Sequence, residues 1–224
     1  MRKWGILISV FYAVIVIGLL VPGAIILGGA TDSLGTILST DLTGVLKNWL
    51  SWVPIAVVLS GQALLLFLSV DTTQKRLKPR MHIAISVMVS SMLVALLVFA
   101  GLSAIGAAAY HDQFLDKFWA NTGQVFAIWV ALWIVWALVF YLWSRNSTAI
   151  AGRAVSWLLK GSVLELLVAV PCHVWVRRRG DCSAPVATSF GIVTGVAVML
   201  LCFGPSVLFL IKKRLDGYAV RKSA

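Results

Sequence analysis

Long apolar runs alternate along this chain with short polar breaks, and the breaks and run ends carry nearly all of the charge. Six runs stand out, at about 4–27, 49–70, 82–109, 122–143, 154–176 and 186–211. A hydrocarbon layer about 30 Å thick needs roughly 20 apolar residues to be crossed by a helix, and each run meets that length. Strands would leave backbone groups unpaired in lipid, so every run is predicted to be helical. The expected fold is therefore all-α: a polytopic integral membrane protein of about six transmembrane helices, with residues 1–224 forming a single transmembrane helical bundle. The first run, "WGILISVFYAVIVIGLLVPGAIIL", is longer than the roughly 7–15 apolar residues of a secretion signal, so it reads as a retained span. Cleavage after "LGGA" is the alternative.

Composition agrees with the pattern. Hydrophobic residues make up 60% of the chain and charged residues 12%, which excludes an ordinary soluble domain. A net charge of +11 in a soluble protein would point to nucleic acid. Here the lysines and arginines cluster at the ends of apolar runs, where positive charge sets orientation in a bilayer. Fourteen of the 19 basic residues fall in the amino terminus, the 71–81 and 144–160 segments and the carboxyl tail. Both termini are accordingly expected on the cytoplasmic side, in a bacterial inner (plasma) membrane.

Arg177, Arg178 and Arg179 break this rule. They sit in "VPCHVWVRRRGDC", on the side that should be poor in positive charge. Five aspartates, Asp32, Asp41, Asp112, Asp116 and Asp181, share that outer side, and a clamp between loops is one role for the arginines. The other is an exposed anion or partner contact, for the phosphate of a bound phospholipid or an acidic segment of a membrane-protein partner. Cys172 and Cys182 flank the triplet in what should be an oxidising compartment. A disulfide between them is expected, with two free thiols as the alternative. A metal site built from Cys172, His173 and Cys182 lacks ligand spacing and a fourth ligand. The three histidines, His82, His111 and His173, lie at helix ends; His82 cannot face the others across the membrane, and an outer His111–His173 pair is a weak alternative to interface histidines, so no haem is implied. No metal and no cofactor are expected.

One ionisable residue falls in the middle of a run. Glu165, in "SVLELLVAV", sits where an ionised carboxylate is expensive, so its side chain must turn inward. The second run holds a polar spot at similar depth, "LSGQA", with Ser60 and Gln62. A hydrogen bond from the Gln62 amide to Glu165 would fasten the two helices. The same constellation is the candidate for a proton or cation relay.

The fourth run carries aromatics at Phe126, Trp129, Trp133, Trp136, Phe140 and Trp143, spaced three and four apart. That spacing lines one helix face. Tryptophan normally gathers at the interfaces, so Trp133 and Trp136 in the interior need something flat to pack on. The candidates are this protein's own helices, lipid, a partner subunit or a flat apolar molecule. Small residues in "GLSAIGAAA" and at Gly191 and Gly195 allow close helix approach. Proline occurs in or beside four runs, at Pro22, Pro54, Pro171 and Pro205.

Three functions are compatible with these features. The first is an accessory, assembly or scaffold subunit acting through helix packing, with the aromatic face as docking seam and the arginines as outer contact. The second is a transporter or proton-coupled carrier centred on Glu165 and Gln62. The third is an outer-face lipid-modifying enzyme using His111, Asp112 or His173, for which no nucleophile is evident. An enzyme is the less expected outcome.

Overall fold

A computed structural model of the protein describes residues 2–28, 47, 49–71, 79–110, 113, 117–118, 121–144 and 150–223. Among them the structure is helical. Helices α1 (Arg2–Ile15) and α2 (Val21–Gly28) are joined through a π-helical turn, Val16–Leu20, into one continuous run. Pro22 lies two residues past the π turn, at the second position of α2. A proline cannot donate to the carbonyl four residues back, and a wider turn is a common way for a helix to absorb that loss. The remaining elements are α3 (Trp49–Asp71), α4 (Pro79–Tyr110), α5 (Thr122–Ser144), α6 (Ile150–Arg179) and α7 (Ala184–Ser223).

Five stretches are long and apolar enough to cross a membrane: Ile6–Leu27, Ala84–Tyr110, Gly123–Trp143, Ala154–Arg179 and Ala184–Phe203. In α3 the apolar segment among the described residues is shorter, Trp52–Leu64. The protein is thus a helical integral membrane protein. Two boundaries depart from the sequence pattern. Helix α6 runs past position 176 and takes in all three arginines, so the expected arginine loop is the final turn of a helix. Helix α7 continues through the basic carboxyl tail to Ser223, and its 40 residues make a rod about 60 Å long. The helix carries on through Gly204 and Pro205, which cannot donate a backbone hydrogen bond, and into the polar tail.

Helices α4, α6 and α7 pack on one another and form the centre. The first run lies on α7, and α3 lies against α1, α4 and α7. Tyr12 ties the first run in by donating a buried 2.6 Å hydrogen bond to the Ala197 carbonyl of α7. Helix α5 stands outside, with α4 as its main neighbour. The small residues noted in the sequence line the central contacts: Ala100, Ala104 and Ala107 of α4 are fully buried. At one end Ala107, Val176, Ala184 and Ala187 form a separate small cluster between the three helices. Small side chains let backbones come close, and close backbones maximise dispersion contact where no hydrophobic force separates helix from lipid.

Candidate functional site

The inward face of α6 is drawn by spacing alone. Leu158, Ser162, Glu165, Ala169, His173 and Val176 recur every three or four residues and all are buried. Glu165 lies near the middle of this row, 6% exposed, and neither of its carboxylate oxygens has a hydrogen-bond partner among the described residues. Three glycines wall it in. A methyl group placed on Gly191 would lie 3.0 Å from Oε1, and one on Gly101 of α4 would lie 3.7 Å from Cγ. On Gly195 a methyl would overlap Oε2 outright. The carboxyl therefore occupies space that exists because α4 and α7 carry glycine opposite it.

Eight residues further along α6, about 12 Å by helical rise, His173 meets α7. Its Nδ1 lies 2.8 Å from the Thr188 hydroxyl, and that hydroxyl donates to the Pro185 carbonyl at 3.0 Å. A hydroxyl has one proton to give, so the imidazole completes the pair as the donor, in its Nδ1–H tautomer. His173 is thereby held between helices rather than presented at the surface, which removes one of the acid–base groups available to a surface lipid enzyme. His111 and Asp112 lie outside the described residues.

The arginines divide their work. Arg179 donates to the Ala108 carbonyl at 2.7 Å and to the Ala107 carbonyl at 3.4 Å, in the last turn of α4, and pairs with Asp181 at 2.7 Å. Arg177 donates to the Leu27 carbonyl at 2.5 Å, in the last turn of α2. The final carbonyls of a helix have no partner within it and carry the negative end of its dipole. Two of the three arginines thus cap the ends of neighbouring helices, which gives these charges a structural role. The pair with Asp181 is local, two residues along the chain, and ties no two loops together; Asp32, Asp41, Asp112 and Asp116, the other aspartates expected to clamp the arginines, lie outside the described residues. Arg178 is exposed. Gly180 closes α6 with φ at +75°, the left-handed conformation that ends a helix.

Two expected groupings are not assembled. Gln62 is buried, but it does not reach Glu165, because α4 and α7 stand between α3 and most of α6. Ser60 is exposed on the opposite side of α3 and donates to the Val57 carbonyl of its own helix. The Cys172–Cys182 disulfide is not formed. Extension of α6 to Arg179 holds Cys172 two turns below the helix end, while Cys182 lies beyond it. No cluster of three metal-ligating side chains occurs among the described residues.

The aromatic face of α5 is turned inward. Phe140 is buried, and Trp129 and Trp136 pack against the central core. Trp133 donates to the Met88 carbonyl of α4 at 3.3 Å. Trp129 and Trp133 stack with centroids 6.1 Å apart, and Phe140 and Trp143 both meet Trp157 of α6 edge-on. Phe126 and Trp143, at the two ends, remain exposed. The proposed docking seam is mostly an internal one. The outward face of α5 is mostly aliphatic, with Ile134, Val135, Leu138 and Leu142 exposed beside Tyr141.

The sequence reading missed His173 as a companion of Glu165. The signal was there, since Glu165, Ala169 and His173 follow at four-residue steps. Comparison with family models, curated proteins and solved structures finds no match to this chain.

Proposed function

We propose that the protein is a small membrane carrier or proton-coupled transporter in which Glu165 is the site that takes up and releases the coupling ion. One observation carries this reading: an unpartnered carboxyl enclosed by α4, α6 and α7 in the middle of an apolar span. A buried carboxylate without a partner is costly in lipid, and a proton or a small cation is the simplest counter-charge. An acid kept only to fasten helices would be expected to meet a donor on a neighbouring helix. Glu165 faces glycines instead, a surface with no side chain to compete for whatever binds. His173, on the same inward row, supplies a second titratable group toward the arginine end.

The test is proton flux. The full chain, reconstituted into vesicles with a trapped pH-sensitive dye, is expected to respond to an imposed gradient, and Glu165→Gln is expected to abolish the response while eluting as a folded species. Equal flux in both proteins ends the proposal.

The accessory-subunit reading is the second, favoured by the exposed aliphatic face of α5. It expects a stoichiometric partner to survive mild detergent extraction, and purification of a monomer or self-dimer alone counts against it. For both readings we propose six spans with both termini cytoplasmic in a bacterial inner membrane, as the charge distribution supports. Cys182, exposed beyond the end of α6, should then react with a membrane-impermeant thiol reagent added to intact cells. Reaction only after the cytoplasmic side is opened reverses the orientation.

A further inference from the structure

Of the three arginines, Arg177 and Arg179 hold the ends of neighbouring helices, and Arg178 does not share that work. It stands on the outward face of α6, at the head of a row that reads Leu164, Leu167, Pro171, Trp175, Arg178 at three- and four-residue steps. Leu164, Leu167 and Trp175 are 64%, 65% and 59% exposed, so this row looks into the membrane. Beside it lies a shallow apolar depression lined by Val163, Leu166, Leu167, Val170 and Pro171. Pro171 lies inside the continuous helix and cannot donate to the carbonyl of Leu167.

We propose that this face binds one anionic phospholipid, with its phosphate on Arg178, its glycerol region against Trp175 and one acyl chain in the depression. The arrangement matches such a lipid from end to end. A guanidinium offers two parallel donors to a phosphate, and an arginine at a helix end reaches the headgroup level. Tryptophan prefers the interfacial layer beneath it. From Arg178 to Leu167 is about 16 Å of helix, close to the depth of one leaflet of a bilayer core about 30 Å thick. Charge complementarity selects the anionic headgroup, because the arginine end of α6 carries three cations against Asp181 nearby. This site does not depend on Glu165 acting as an ion site.

The test uses the full chain in detergent, examined by native mass spectrometry with added phosphatidylglycerol, phosphatidylcholine or inorganic phosphate. The expected result is one retained phosphatidylglycerol in preference to phosphatidylcholine, with no displacement by inorganic phosphate. Arg178→Ala should lower that retention about fivefold, the worth of one cation at a membrane surface. Arg178→Lys should recover part of it. Val170→Phe, which fills the depression, should also lower it while the protein stays folded. Equal retention of the two lipids, retention unchanged in Arg178→Ala, or displacement by inorganic phosphate overturns the proposal. The elution profile of each variant shows whether a loss reflects unfolding, and Arg178→Lys keeps the test decisive if Val170→Phe does not fold.

Discussion

Helix α5 and the α4–α6–α7 centre both consist of membrane-spanning helices, yet they are built differently. Helix α5 holds on with large aromatics along one face and leaves the rest of its surface open. The central helices meet through alanine, glycine and serine as well as leucine and valine, with Ala100, Ala104, Ser103 and Ser162 at or near complete burial. In water the larger apolar side chains would mark the inside. In lipid they do not, because hydrocarbon outside a helix is as apolar as leucine within it. What marks the inside is small volume, which permits close backbones, and polarity, which has nowhere else to go. The one intramembrane carboxylate, the His173–Thr188 pair and the glycines that make room for them all belong to the centre.

Substitutions can sharpen that contrast. The largest effect should come from Gly195→Ala, whose methyl meets Glu165 and lies 2.8 Å from Leu166 Cγ. It should cost about 3 kcal/mol, read as a lower midpoint of thermal unfolding in detergent. An unchanged midpoint would mean that α6 and α7 are not packed at this distance. Arg179→Ala removes an ion pair and the cap on α4 and should cost about 2 kcal/mol by the same measurement. Next comes Trp136→Ala, which weakens the seam of α5 by about 1 kcal/mol, with crosslinking between α4 and α5 reporting the loosening. If Trp136→Ala costs more than Gly195→Ala, the distinction between centre and periphery is wrong. Tyr12→Phe deletes one buried hydrogen bond to Ala197 and should cost about 0.6 kcal/mol, typical for such bonds between membrane helices. At the bottom, Arg178→Ala should change stability by less than about 0.5 kcal/mol, as expected for an exposed side chain.

The arginine triplet makes the same point at the scale of three residues. Neighbours in sequence, spaced 100° apart around a helix, face three different surroundings. Arg179 meets the end of α4, Arg177 the end of α2, and Arg178 the membrane side. As a loop they would have been interchangeable; as a helical turn they are not.

Length, apolarity and the positions of charge determined by themselves that this chain is a helical membrane protein, because a lipid solvent forces any long apolar run to satisfy its backbone internally. They also isolated Glu165, since a carboxyl in such a run must turn inward, as a fastener between helices or as a relay. Its surroundings could not be read the same way. Gln62 lies at a matching depth on another helix, but depth along the chain says nothing about which helices touch. Helix order in the bundle placed α4 and α7 against Glu165, gave it Gly101, Gly191 and Gly195 in place of an amide, and set His173 beside Thr188. It also turned the aromatic row of α5 onto α4. Those pairings depend on how side-chain volumes interlock among all the helices at once, and no single stretch of sequence contains that information.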